Sequence, residues 1–563
     1  MNAITDRHPR VLGAIVLLLV VVVVYFRLLP TLPTIMQDEL VYMVTARHTE
    51  PSEIRYGNYL FAQVYQTSLF VGVDYYWFVK LLNFAFLWGF GVIVFVLSKP
   101  ILGFWLGLLF SAVSVAGPIS LYGSVFMPEA MFVFLAALSF YLFLRIRPGV
   151  DRASILSILL AGFTVAMTSL VKPHALFLMI GFGLYMLFGS KWRIMNFGLR
   201  ITSVMLFGLS TIVLKLAGGF LFAGTNGLTL FGGYGSILGI FETLLEFLGL
   251  SETVDSGANT IPETTATQSP SDLSFSEVVL QQFGLHLMAI GFLLAPALYV
   301  FFSTKFSVKS SIAELSLFLL GSMIVIISVF GAYVTVGGDD HTDRILLRYY
   351  EYLLPFVYLG MFSVLKEKQP AGVPKFAFFM FFAISATLIA ANNLADTRRL
   401  LADSSFLLGI FEDLDMRWLF TALMFVLFLM ILGSPKKLMD YSVLVVSLAF
   451  LVSGVASQER QLRTNSSPIG SDFAGQFVRD ELESVPGEEI YVIGSDKQLV
   501  EASIFWMDRP GVEFELYQPG SVLPQSEIPA DKSVIVQILG VSAQLDAETL
   551  IQGRDFRVVK RND

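Results

Sequence analysis

The sequence predicts a mainly α-helical, polytopic transmembrane bundle carrying a small C-terminal α/β domain, and three observations carry that expectation. Hydrophobic residues make up 55% of the 563-residue chain against 15% charged, with a mean hydropathy of +0.70, far too apolar an average for a chain that must cover itself with a water-facing surface. The apolar residues fall in runs close to the ~20-residue length that crosses a bilayer. The charge is concentrated at one end: from Gln458 onward there are 10 basic and 18 acidic residues, an excess that matches the formal net charge of −8 and leaves the preceding part near neutral. Residues 1–457 are therefore expected to be the membrane domain and 458–563 a soluble domain.

Segmentation by length and apolarity gives about thirteen candidate spans. They begin near Val11, Trp77, Ile101, Ala130, Ala153, Pro173, Phe197, Phe283, Ile312, Ile345, Phe376, Trp418 and Leu438. The first follows "MNAITDRHPR" and is not succeeded by a small-residue cleavage pattern, so it reads as a retained span rather than a removed signal peptide. Basic residues in short loops collect on the cytoplasmic side of membrane proteins. Alternating the loops from a cytoplasmic N-terminus puts Arg7 and Arg10, Lys99, "RIRPGVDR", "SKWR", "TKFSVK", "KEKQPAGVPK" and "SPKK" all on that side. A miscounted span would scramble the pattern partway along. An odd number of spans then sends the tail to the outer face, and a multi-pass protein of a bacterial inner membrane is the expected setting.

Within the tail, "EEIYVIGSD", "VEFELY" and "SVIVQIL" read as strands and "KQLVEASIFWM" as a helix. The "GSD" after the first strand lacks the glycine pattern of a nucleotide loop, so packing or acceptor docking is its better reading. The chain has no cysteine, which excludes disulfides, thiolate chemistry and cysteine metal sites, and its five histidines leave little room for a histidine-rich metal centre. No basic stripe points to nucleic acid.

The outer face gathers the unusual residues. The first outer loop, about residues 31–76, carries Asp38, Glu39, Arg47, His48, Glu53 and Arg55. The second is "SLYGSVFMPEA", ending on Glu129; the third is "LVKPHA", with Lys172 and His174; a fourth reads "VGGDDHTDRILLRYYEYLLP" and holds Asp339, Asp340, His341, Arg344, Arg348, Tyr349 and Glu351. Steps of four, three and four place Arg344, Arg348, Glu351 and Pro355 on one stripe of a helix. Charge at membrane depth is costly unless it lines a protein interior or a wet cavity, so the stripe is expected to face an outward-opening cavity, with Lys215 a candidate to join it. Each residue also has a plainer reading: Asp38 as a helix N-cap, Glu129 as a first-turn acid after Pro128, Lys172 as a snorkelling lysine, Arg348 and Glu351 as a structural pair. What those readings leave unexplained is why one face holds them all. The long loop at about 225–282, rich in Thr, Ser and Pro, is either a linker or a mobile cover.

The layout resembles the glycosyltransferase C superfamily, polytopic enzymes that use polyprenyl-phosphate sugars at the outer or lumenal face. The likeness is carried by "QDE" just after the first span, "MPE" closing the second outer loop, "KP" opening the sixth span, "RYYEYLLPF" at the outer start of a late span, and the soluble outer domain. Protein O-mannosyltransferases and the lipid A aminoarabinose transferase are the relatives nearest in layout. The "WWD"-type signature of oligosaccharyltransferase catalytic subunits is lacking.

The resemblance implies an inverting transfer with Asp38 as general base and Glu39 supporting it or binding the acceptor. It assigns Arg348, Arg344 and Lys172 to the leaving phosphate. Glu129, His174, His341, Asp339, Asp340, Glu351 and Tyr349 would contact the substrate. The partners implied are a polyprenyl-phosphate sugar donor, a glycan or lipid-linked acceptor and membrane lipid. No cofactor is required, although the acids could hold a divalent metal. Three rival readings stand beside it. A lipid-sugar flippase or transporter should show repeated halves and mid-membrane polar sites, and no internal repeat is visible. A polymerase or ligase using a lipid diphosphate would also keep arginines outside, and a structural or sensory protein would use its tail to bind a partner.

Overall fold

The computed structural model describes residues 9–34, 37–231, 275–303, 310–336, 345–367, 375–391, 404–411, 414–433 and 438–562. Helices occupy all thirteen candidate span positions, and eight helices among the described residues are long and apolar enough to cross a membrane, which makes the chain a multi-pass membrane protein. One of these runs is continuous from Tyr59 to Ala116 and takes up two of the candidates. Its helical part Tyr75–Ala116 bends where Pro100 and Gly103 fall together, Gly103 adopting φ 80°. That left-handed conformation carries little steric cost in glycine alone.

The sidedness drawn from charge reappears as physical contact. At one end of the bundle Lys366 donates to the carbonyls of Pro100 and Ile101, both at 3.1 Å, Lys191 donates to Leu144 O at 2.7 Å, and Glu314 accepts from the amide and hydroxyl of Ser190. The basic loops around Lys99, Arg145, Lys191 and Lys366 thus share an end, where Lys191 satisfies a carbonyl in the last turn of Glu129–Arg145 and Lys366 two at the bend of Tyr75–Ala116.

At the other end the first outer loop is itself largely helical, with Gln37–Arg47 and Tyr59–Tyr65. It is anchored by Lys80, a buried lysine of the helix Tyr75–Ala116. Its ammonium donates to Leu28 O, Leu29 O and Thr31 O at 3.2, 3.0 and 2.5 Å, closing the C-terminus of the first helix, Pro9–Leu28. A lysine in an apolar span is tolerated when carbonyls and a nearby acid surround it, and here it fixes the chain that follows the first helix.

Three expectations need correction. The helix Met439–Asn465 runs through position 458, so the domain boundary lies beyond Asn465 rather than at 457/458. The helix expected to start near Phe283 starts at Phe275, which shortens the long loop; residues 232–274 lie outside the described residues. The proposed charged stripe is not one helix: 3-10 turns at Leu347–Tyr349 and Glu351–Leu353 flank Tyr350, which has non-helical φ −143°, ψ 0°, and the helix proper is Leu354–Glu367.

The three strands and the helix read in the tail are present, together with four strands and a helix that were not read. Its strands are β1 Ile490–Gly494, β2 Glu513–Leu516, β3 Val522–Pro524, β4 Val534–Ile538, β5 Ser542–Gln544, β6 Ala547–Gln552 and β7 Phe556–Arg561. A five-stranded sheet of order β2-β1-β4-β7-β6 is parallel across β2, β1 and β4 and antiparallel across β4, β7 and β6. The helices Gly470–Glu481 and Lys497–Met507 cover one face through Ala474, Val478, Val500 and Ile504. Asp496 of "GSD" accepts from the amides of Gln498 and Leu499 and so caps the helix Lys497–Met507, a local role the sequence reading had not named.

The tail docks on the helix Gln37–Arg47. Asp508, ending the helix Lys497–Met507 in the left-handed region, takes two hydrogen bonds from Arg47 at 2.7 and 2.5 Å and lies 2.8 Å from His48 Nε2. Tyr75 donates to Phe505 O at 3.0 Å, and the rings of Tyr76, Phe126, Phe505 and Trp506 pack together. Burial alone would push the Asp508 carboxyl up, but hydrogen bonds from His48 and Arg47 and their charges outweigh it and hold it below the ordinary aspartate range. A carboxyl that titrates lower when folded stabilises fully above its unfolded value, about 4, and that stabilisation is lost as pH falls through the lower folded value. Acidification below about pH 4 is expected to lower the protection of the amides of residues 37–48 against hydrogen exchange, measured relative to their intrinsic rates at the same pH. At neutral pH, Asp508→Asn should lower that protection by about 10-fold or more. Unchanged exchange in that variant would mean that the clamp does not hold the helix.

Candidate active site

At the end of the bundle opposite the basic loops, the ring of Tyr349 gathers Lys172, His174 and Arg348, and Asp38 and Glu129 pair with two of these. Asp38, in the first turn of Gln37–Arg47, accepts from Arg348 Nη1 through Oδ2 at 2.9 Å across 310 residues of sequence. Its side chain is 43% exposed, while that of Arg348 is 11% exposed. The helix start therefore presents a carboxylate to solvent and backs it with a largely buried guanidinium. Two acids in a first turn also suit the helix dipole.

On the same ring, Lys172 Nζ lies 4.8 Å from the Tyr349 centroid and Arg348 Cζ 5.2 Å. Lys172 also pairs with Glu129 Oε1 at 2.6 Å, both side chains being almost wholly buried. The local backbone explains the placement: the helix Arg152–Val171 ends at Lys172, which is extended because Pro173 follows, and a 3-10 turn Pro173–Phe177 begins there. Glu129 opens the helix Glu129–Arg145 directly after Pro128, and its first-turn position is as the plain reading had it. The buried His174 ring stands 4.9 Å from that of Tyr349 and 4.8 Å from Phe330. Asp38, Arg348, Tyr349, Lys172, Glu129 and His174 thus form one contiguous group in which two cations meet at the Tyr349 ring and each is paired with an acid of its own.

Two residues assigned to the site stand apart from it. Glu39 is fully buried, with Oε1 2.7 Å from Phe126 N and 3.1 Å from the Tyr76 hydroxyl, and Oε2 3.1 Å from Thr34 N and 3.3 Å from Thr34 Oγ1. Burial pushes its carboxyl up, and the Phe126 amide, the Tyr76 hydroxyl, the Lys80 charge and the Thr34 hydroxyl partly oppose that. Both oxygens are engaged, and they tie the start of the Asp38 helix to the segment around Phe126. Glu351 is likewise buried, bonded to the Tyr122 and Ser405 hydroxyls, because the break at Tyr350 turns it away from Arg348. In the structure it ties the turn to Tyr122 and Ser405. Lys215 is buried against Ser169 O at 3.4 Å and belongs to the packing of the helix Phe197–Ala223.

Arg344, Asp339, Asp340 and His341 lie outside the described residues. Among the described residues no group of three or more His, Asp or Glu side chains is placed to hold a metal ion. Lys80 and Tyr76, which organise the loop, were not singled out from the sequence, although a lone lysine in "YYWFVKLLNFAF" is the kind of in-span charge that marks a fixed position.

No family model and no curated protein matches the chain. Among solved structures, the chain is similar to ArnT from Cupriavidus metallidurans bound to undecaprenyl phosphate, with 12% identity and a TM-score of 0.48, covering 97% of each chain. It is also similar to the oligosaccharyltransferase of Archaeoglobus fulgidus in the apo form, with 12% identity and a TM-score of 0.41, covering 93% of this chain and 69% of that one. Likeness at this level bears on neither substrate nor mechanism.

Proposed function

We propose that the chain is a membrane glycosyltransferase that moves a sugar from a polyprenyl-phosphate donor to a lipid-linked or cell-envelope glycan acceptor. The reaction takes place at the extracytoplasmic face of a bacterial inner membrane, with the N-terminus inside and the C-terminal domain outside. The observation that carries this reading is the contact of the half-exposed Asp38 with Arg348, on a ring shared with Lys172, at the bundle end opposite the basic loops. The motifs "QDE", "MPE", "KP" and "RYYEYLLPF" converge on that one place.

In the proposed reaction the acceptor hydroxyl attacks the anomeric carbon as Asp38 takes its proton. The bond from that carbon to the phosphate oxygen breaks with inversion, and the lipid phosphate leaves with the electron pair. Arg348, with Lys172, meets the negative charge that develops there, a guanidinium binding phosphate oxygens in a fork. Arg348 donates to Asp38 in the structure through Nη1, so an arriving phosphate and Asp38 share one guanidinium. This couples donor entry to the environment of the base. The reaction as written uses no cofactor. The embedding follows from the donor, since a polyprenyl tail partitions into lipid while its phosphate sits at the membrane surface.

Incubating the purified protein with a panel of polyprenyl-phosphate sugars and measuring release of free polyprenyl phosphate tests the reading. Turnover of at least one panel member is expected. Binding and vesicle translocation of such lipids without cleavage would replace it with the flippase reading, and use of lipid diphosphates alone with the polymerase or ligase reading.

A further inference from the structure

The 3-10 turn Gln66–Asp74, between the helices Tyr59–Tyr65 and Tyr75–Ala116, is inside out for a segment in water. Its one fully buried side chain is polar: Ser68 accepts from Arg47 Nη1 at 2.9 Å. Its apolar side chains are the open ones, with Leu69 42% exposed, Phe70 91% and Val73 56%. Among them Gly72 takes φ 63°, ψ −127°, a conformation that glycine alone adopts at little cost, and a Cβ built there would meet nothing within 4 Å. Single exposed apolar residues are ordinary, but three at one tip with the serine turned inward make a patch that water does not favour.

What covers the tip follows from its place in the chain. Val73 is four residues before Trp77, which is 41% exposed in the first turn of the membrane-spanning helix, and Leu81, one turn further, is 44% exposed. Four residues reach about 14 Å at most when extended and rise about 6 Å as helix, so the tip adjoins the lipid-facing stripe of that helix. A tryptophan at the end of a span belongs to the membrane–water boundary. A protein partner fits less well, since three side chains fall far short of the roughly 800 Å² per partner that a stable interface takes. The tip is also joined to the site. Arg47 ends the helix Gln37–Arg47, whose first turn carries Asp38, and its guanidinium meets Ser68 of the tip, Asp508 of the tail and, at 4.1 Å, the ring of Tyr75.

We propose that Gln66–Asp74 is a membrane anchor: Leu69, Phe70 and Val73 insert among the acyl chains of the leaflet at the Tyr349 end of the bundle and, through Ser68 and Arg47, hold the helix that carries Asp38. The partner is the lipid surface itself, at the headgroup–acyl boundary where the apolar side of an interfacial element settles about 5–10 Å deep. The turn has no basic side chain, its one charged residue being Asp74, so it selects no anionic headgroup and engages zwitterionic lipid alone. Nothing in this requires a particular reaction, and the anchor stands or falls apart from the transferase reading.

The chain has no cysteine, so Phe70→Cys in the purified full-length protein takes a thiol-reactive fluorophore at that position alone. The reference is Glu548→Cys, an exposed position in the soluble domain. In phosphatidylcholine nanodiscs, lipid spin-labelled near the headgroup is expected to quench the fluorophore at Phe70→Cys about 3-fold or more beyond that at Glu548→Cys, and aqueous iodide to quench it correspondingly less. Iodide quenching equal to the reference would place the tip in water and overturn the proposal. Shielding from both quenchers would mean that protein covers the tip, which overturns it equally. The link to the Asp38 helix is read on unlabelled protein in the same nanodiscs. Leu69→Ser combined with Phe70→Ser is expected to lower the protection of the amides of residues 37–48 against hydrogen exchange by about 3-fold or more, while the strand Val534–Ile538 keeps its own. Unchanged protection at 37–48 would sever that link, and equal loss in both segments would assign the two side chains to folding and sever it as well.

Discussion

Asp38→Asn is expected to lower the rate of sugar transfer by about 10³-fold or more, a loss in the upper range for removal of a positioned general base. The substitution keeps the shape of the side chain and an oxygen that can accept from Arg348, so the 2.9 Å contact has a replacement. What it removes is the capacity to take up the acceptor proton. Asp38 is 43% exposed, and an ion pair of that exposure contributes no more than about 1 kcal/mol to stability. The detergent melting temperature should therefore move little, and donor binding should persist. Single-turnover transfer measured with saturating donor separates the two effects. Full activity in Asp38→Asn would remove this residue from the chemistry and return it to the role of a surface partner for Arg348.

The reach of the sequence is clearest where a rule is local and its limit is clearest where contacts are distant. Loop charges placed Lys99, Arg145, Lys191 and Lys366 at one end, and Asp38, Glu129, Lys172 and Arg348 at the other, because sidedness depends on short segments read one at a time. The tail strands were legible for the same reason: β1 and β4 are short apolar runs bounded by turn residues. The choice between neighbouring acids was not legible. Asp38 and Glu39 are adjacent in sequence, yet one is half-exposed and the other has no exposure, and only the positions of Phe126 and Tyr76 decide which faces inward. The helical stripe through Arg348 and Glu351 failed at Tyr350, where the assumed period of 100° per residue was interrupted by 3-10 turns.

Arg348→Ala is expected to cut kcat/KM for the donor by about 10²-fold or more, in line with loss of one preorganised group from a developing anion. A structural ion pair and a working pair differ in what the double variant does, and this gives the experiment its force. Were Asp38 and Arg348 joined only to hold the outer helix against the turn Leu347–Tyr349, removing both charges would relieve the imbalance left by removing one, and function would partly return. In the proposed reaction the two act on different bonds of one transition state, the acceptor O–H and the departing phosphate. Asp38→Asn with Arg348→Ala should then be no more active than the worse single variant, because groups acting as a unit are strongly non-additive without rescuing one another. The partition between substrates adds a second readout: in Arg348→Ala the loss should shrink when a donor with a better leaving group replaces the lipid phosphate, whereas Asp38→Asn should be insensitive to that change. Recovery of activity in the double variant above either single one would identify the contact as scaffolding and leave the phosphate to Lys172, the other cation over the Tyr349 ring.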